Sequence, residues 1–132
     1  MEIVNPATEE IIARIEPDAR EIIETVYKTA RRSQEEWASR PLSERLAAVR
    51  GFYDLLDENR EELALILTRE MGKPVWQSRN EINGARGRIE FFLEHTEKWL
   101  SDEWMTRDEG LGEKISYEPL GVIGNISAWN YP

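Results

Sequence analysis

The chain of 132 residues contains no cysteine. That absence removes disulfides, thiolate metal sites and thiol nucleophiles from whatever these residues do. Histidine is nearly missing as well: His95 is alone, so no imidazole cluster can hold a metal, and its place between Glu94 and Thr96 near a helix end reads as a surface position. Long apolar runs are lacking. The longest uninterrupted aliphatic stretch, Leu63 to Leu67, falls far below the roughly 18 residues that suggest a membrane span. The first residues, Met1-Glu2-Ile3-Val4-Asn5, have neither the basic nor the apolar region of a signal peptide, so a cytoplasmic location is expected. Basic residues are outnumbered, 17 against 26 acidic, for a net charge of −9. This balance works against non-specific binding to nucleic acid or to an anionic membrane. Repeats, low-complexity tracts and Pro/Ser-rich linkers are also absent from the sequence. What is present is the material of a folded domain: 40% hydrophobic residues and five tryptophans, enough for a core at this length.

The periodicity predicts helices framed by short β segments. Glu2 to Val4 and Ile11 to Ile15 read as a hairpin, with Asn5-Pro6-Ala7-Thr8 as its turn. A first helix is expected from Asp18 as N-cap, burying a face made of Ile22, Ile23, Val26, Tyr27, Ala30 and Trp37, and ending before Pro41. A second starts near Ser43 and buries Leu46, Val49, Tyr53 and Leu56, with Gly51 mildly unfavourable inside it. Asn59 and Glu62 have the spacing of a capping box for a third helix, which carries Leu63, Ile66 and Leu67 and is terminated by Gly72. Pro74 opens a fourth, longer helix with Val75, Ile82, Ile89, Leu93, Thr96 and Leu100 along its inner stripe. Gly84 and Gly87 weaken it, which predicts close helix approach there. Trp104 to Arg107, a Gly110-Leu111-Gly112 turn and Lys114 to Glu118 read as a second hairpin.

The final segment, from Pro119 to Pro132, differs in kind. Val122 to Ala128 shows little alternation of polarity, which suits a parallel strand covered on both faces. Such a strand needs neighbours, and parallel neighbours arrive only after a long crossover. The chain is therefore expected to be the opening piece of a larger protein.

Residues in three places carry a family resemblance. Glu118-Pro119-Leu120-Gly121-Val122-Ile123 followed by Ile126-Ser127-Ala128-Trp129-Asn130-Tyr131-Pro132 closely resembles the segment entering the cofactor domain of the NAD(P)-dependent aldehyde dehydrogenases. Asn5-Pro6-Ala7-Thr8-Glu9-Glu10-Ile11-Ile12 resembles that family's opening phrase, and Glu70-Met71-Gly72-Lys73-Pro74 its Glu-x-Gly-Lys-Pro helix junction. The resemblance implies an α/β fold: the N-terminal helical part and first strand of a Rossmann-type cofactor domain, with a β-hairpin arm. Its divisions would be residues 1–100, the N-terminal hairpin and helices; 101–119, an arm for oligomerisation; and 120–132, the first strand of the cofactor sheet. As an intact protein it would be a homodimer or homotetramer acting on a small aldehyde with NAD or NADP.

The same resemblance assigns the site. Aldehyde dehydrogenases attack the carbonyl with a cysteine thiolate to form a thiohemiacetal. The cysteine, its activating glutamate, the ribose-binding lysine and the Gly-rich turn of that family all lie beyond the region matched by these residues. On its own the segment is expected to be inactive. Asn130 would be the oxyanion donor: attack turns the carbonyl oxygen into an alkoxide, and a neutral amide N–H held beside it stabilises the new charge. Read from its chemistry alone, Asn130 is better explained as capping the strand and bonding local backbone, as turn asparagines do; the motif match reverses that preference. Ile126, Ser127, Ala128 and Trp129 would face the cofactor, at the carboxyl end of a strand, where open α/β sheets bind ligands. Ala128 stands where many members have proline, and the Trp129 indole itself reads as a core aromatic.

Other groups carry less. Adjacent acids such as Glu35-Glu36, Glu61-Glu62 and Asp102-Glu103 read as solvated helix faces. Gly121 and Gly124 lack the spacing of a phosphate-binding turn, and Lys73 reads as structural. The alternative function is a noncatalytic helical protein derived from such an enzyme, acting by association with another chain.

Overall fold

The computed structural model describes residues 1–108 and 110–128. Strand β1 (Glu2–Val4) pairs antiparallel with β2 (Ile11–Arg14), Glu2 opposite Arg14 and Val4 opposite Ile11, with a bulge after Ile3. The turn between them is built around Asn5, which is buried. Its Oδ1 accepts the Ala7 N–H at 2.9 Å, its N–H donates to the Glu10 carbonyl and its carbonyl accepts the Glu9 N–H, both at 2.8 Å. The expected hairpin is therefore present, and one side chain organises its loop.

Helix α1 (Arg20–Ser39) starts two residues after Asp18. Its N-cap is Ala19, whose carbonyl accepts the N–H groups of Ile22 and Ile23, so the expected Asp18 cap is displaced and no side chain takes its place. Arg40 is extended, as the residue before Pro41 must be. Helix α2 (Leu42–Glu58) follows, and a single residue, Asn59, separates it from α3 (Arg60–Met71). The expected capping box is not made. Asn59 Nδ2 instead donates to the Leu55 carbonyl at 2.8 Å, closing the end of α2 rather than opening α3, because its backbone at φ −101° and ψ 11° is not the extended cap conformation.

Gly72 ends α3 in the left-handed region at φ 68°, as expected. It lies against the first hairpin: a Cβ there would stand 2.7 Å from Pro6 Cγ. Helix α4 (Val75–Trp99) begins one residue after Pro74, which is its N-cap and not its first helical residue.

Helix α4 packs against both α2 and α3. Ala64 and Ser78 are fully buried and Ile82 nearly so. Ala64 and Ser78 are small, which lets α3 and α4 approach, and Ser78 Oγ and Thr68 Oγ1 share a hydrogen bond of 2.8 Å across the joint. Ion pairs flank this core. Lys73 pairs with Glu81, Arg79 is bidentate on Glu61, and Arg86 Nη1 meets Asp57 Oδ1 at 2.9 Å while its guanidinium lies 4.6 Å from the Tyr53 ring centre.

Two packing expectations fail within the described residues. The apolar face of α1 is open, with Ile22, Ile23, Val26, Tyr27 and Trp37 exposed and only Ala30 half-buried, because no other element packs closely along it. Gly84 and Gly87 do not mark a close helix approach: a Cβ at either would meet open space.

Strands β3 (Glu103–Arg107) and β4 (Gly112–Ile115) form the second hairpin, antiparallel and exposed throughout. Glycine at 112 begins the strand instead of lying in the turn, since its missing Cβ leaves room for the Trp104 ring. That ring also carries the Arg107 guanidinium at 4.1 Å. The stretch from 116 to 128 forms no ladder, although a strand was expected over residues 122–128. The physical reason is the one that made it look interior: its pairing groups need adjacent parallel strands, and none exists among the described residues.

Candidate functional site

Ile126, Ser127 and Ala128 lie at the end of the described chain, all exposed, with Ile126 at 98% relative exposure. Among the described residues none of them makes a hydrogen bond. Trp129 and Asn130, the remaining site residues expected from sequence, lie outside the described residues. The segment reaches this point from Gly121, at φ 100°, where a Cβ would stand 3.3 Å from Arg31 Nη1; glycine at 121 lets the chain cross α1 closely. Gly121 and Val122 are half-buried there, and the chain beyond them is open.

The geometry suits an extended cofactor-facing edge in one respect. The backbone and side chains of residues 126–128 are free to meet a ligand or a neighbouring strand. No group of three or more metal-ligating side chains occurs among the described residues. Among the described residues no helix is long and apolar enough to cross a membrane.

His95 is more engaged than its sequence setting implies. It is half-buried, its Nδ1 lies 2.7 Å from the Phe91 carbonyl, and its ring stacks on Trp99 with centroids 5.1 Å apart. Phe91 and Phe92 complete this aromatic group on α4. The four-residue spacing of Phe91, His95 and Trp99 was visible in the sequence as a helical row.

Hydrogen-bonded pairs among the described residues shift the pKa of Glu61 and of Tyr117. The Arg79 guanidinium hydrogen-bonded to Glu61 holds that carboxyl below its ordinary 4.5, and the Glu103 carboxylate raises the Tyr117 hydroxyl by accepting its hydrogen bond at 3.2 Å. Both pairs lie on the surface: Arg79–Glu61 joins α4 to α3, and Tyr117–Glu103 ties residue 117 to β3.

One feature that sequence reasoning missed is a pair of cavities sharing Leu42, Arg45 and Leu100. The first, about 360 Å³, is bounded also by Ala38, Tyr117, Glu118 and Pro119. The second, about 230 Å³, is apolar and includes Trp37, Leu46 and Phe92.

Comparison with known proteins assigns the whole assembly. The sequence pattern of the aldehyde dehydrogenase family matches residues 1–132. A succinate semialdehyde dehydrogenase of Acinetobacter baylyi is 34% identical over 130 residues, covering 98% of this chain and 27% of that protein. A 3,6-anhydro-alpha-L-galactose dehydrogenase of a Vibrio species is 31% identical, covering 99% of this chain and 27% of its own length. Among solved structures, betaine aldehyde dehydrogenase of Staphylococcus aureus in complex with NAD+ superposes over 100% of this chain and 27% of its own, with a TM-score of 0.90 and 29% identity. The chain thus spans about a quarter of the length of the relatives it matches. The two hairpins, the four helices and the trailing extended segment agree with an N-terminal portion of that fold, and the chain belongs to the aldehyde dehydrogenase family.

Proposed function

We propose that these residues are the N-terminal portion of an NAD(P)-dependent aldehyde dehydrogenase that oxidises an aldehyde to a carboxylic acid. The observation that carries the reading is the superposition of the entire chain, at a TM-score of 0.90, on the corresponding quarter of an enzyme holding NAD+. In this reading residues 1–100 brace the cofactor domain, 101–119 form the arm through which subunits of a homodimer or homotetramer exchange contacts, and 120–132 supply the first strand of the cofactor sheet. The bare ladder edges of β3 and β4 suit such an arm. The enzyme acts in the cytoplasm.

Asn130 is the catalytic residue of this segment. A thiolate from elsewhere in the enzyme adds to the aldehyde carbon, the carbonyl π electrons move to oxygen, and the Asn130 amide N–H donates to the alkoxide so formed. NAD(P)+, held along residues 126–129, would supply the hydride acceptor that oxidation of the aldehyde to the carboxylic acid requires. Ile126, Ser127, Ala128 and the Trp129 backbone line the cofactor side of the cleft. Residues 126–128 are exposed, which leaves them available for that contact. The substrate is a small aldehyde, and the likeness to a succinate semialdehyde dehydrogenase favours one that carries a carboxylate.

The test is Asn130→Ala in the intact enzyme. Turnover falls on the order of 100-fold to 1000-fold, with cofactor affinity nearly unchanged. Turnover within a few-fold of the parent would remove Asn130 from the chemistry.

A further inference from the structure

Arg45 lies where the two cavities meet, and its Nε is buried with no hydrogen-bond partner. No ion pair reaches it among the described residues. Arg86, the other arginine with an unpaired buried Nε, is anchored through its Nη1 to Asp57 and through its face to Tyr53. Arg45 has no such anchor, although a buried donor without a partner is costly to keep. Around it the walls are apolar: Leu42, Leu46, Val49, Phe92, Leu93 and Leu100. Glu118 lines the outer cavity but makes no ion pair with Arg45.

We propose that this groove, at the joint of α1, α2 and the end of α4, is the seat of a peptide segment from the remaining part of the aldehyde dehydrogenase polypeptide, one that presents a carboxylate to Arg45 between apolar side chains. The inference rests on the reading that a longer enzyme carries these residues at its N-terminus. Charge complementarity chooses the occupant. A guanidinium fork at the middle of an apolar trough is best satisfied by a carboxylate, and the flanking Trp37 and Leu100 walls ask for apolar neighbours on either side of it. The coverage leaves about three quarters of the relatives' length to supply that segment. Arg45 is thereby a positioning residue that fixes the helical part to the rest of the enzyme.

The experiment places a photo-crosslinker in the trough of the intact enzyme through Trp37→p-benzoylphenylalanine, an aromatic exchange that leaves Arg45 in place. Illumination should yield an intrachain product, of monomer mass on denaturing gels, whose mapped site lies beyond residue 132 and within a few residues of an Asp or Glu. A dimer-mass product would give the trough to a second copy, and absence of any product would leave it to solvent or a small anion; either overturns the proposal, as does an intrachain site with no acidic residue nearby. Arg45→Met should lower the midpoint of thermal unfolding by about 2 °C or more, Arg45→Lys should recover part of that loss, and Glu118→Gln should leave the midpoint unchanged. A drop with Glu118→Gln equal to that of Arg45→Met would make Glu118 the partner and sink the proposal. Aldehyde turnover is measured on the same samples. An active enzyme with the wrong crosslink defeats the docking alone, whereas a folded, full-length and inactive parent defeats the functional reading.

Discussion

Gly72 closes α3 directly against the ring of Pro6, so that the end of a helix and the turn of the N-terminal hairpin occupy one another's only available space. A methyl group at 72 meets two obstacles. The left-handed φ of 68° disfavours any side chain, and the new Cβ would stand 2.7 Å from Pro6 Cγ and 3.3 Å from the Ala7 nitrogen. Gly72→Ala is therefore expected to cost about 1–3 kcal/mol, read by urea denaturation. A loss below a few tenths would mean that the hairpin lifts away freely.

The Ser78–Thr68 bond makes a second prediction. Ser78 is fully buried, and its hydroxyl is the partner of Thr68 at 2.8 Å. Ser78→Ala should destabilise by about 1 kcal/mol, and the double change with Thr68→Ala should cost less than the two single changes added together. Strict additivity would show that the two hydroxyls are satisfied independently.

Acid should loosen the α3–α4 joint in a defined direction. Arg79 holds the Glu61 carboxyl below 4.5 in the folded protein. A depressed carboxyl contributes its stabilisation above its unfolded value and loses it as the pH falls through the folded one. Glu61→Gln should therefore lower stability at neutral pH and have no effect once the pH lies below both values. Carbon-detected NMR titration of Glu61 checks this: Arg79→Gln should return its midpoint upward, and an unmoved midpoint would refute the pairing.

Helix α4 offers an expected gain. A Cβ at Gly84 meets nothing within 4 Å, and alanine is the better helix residue by up to about 1 kcal/mol. Gly84→Ala should raise the denaturation midpoint accordingly, and Gly84→Leu should be tolerated. Destabilisation by either would reveal a neighbour packed on that face.

The sequence made the elements legible, because hydrophobic period, Pro41, Gly72 and Pro74 are local signals and local geometry obeys them. Caps were less legible. Asp18 and Asn59 both have the right chemistry, yet Ala19 and the backbone of Asn59 decide where each helix opens, a matter of one or two residues that side-chain type does not resolve. Burial was least legible where a face depends on partners from elsewhere. The α1 stripe is correctly apolar but uncovered, and the segment after Pro119 has strand composition without a ladder. The candidate site shares that limit, since Ile126, Ser127 and Ala128 are recognisable as a phrase while no described strand lies beside them. Arg45 carried no sequence signal, because one arginine among 17 basic residues looks like any other until its surroundings are seen.

The contact between Pro6 and Gly72 also orders events in time. As the chain leaves the ribosome, the first hairpin emerges well before the glycine that its turn must rest on. Its two short strands are too few to stand alone in water. Residues 2–14 therefore gain a settled footing only once α3 has formed and its left-handed end is available.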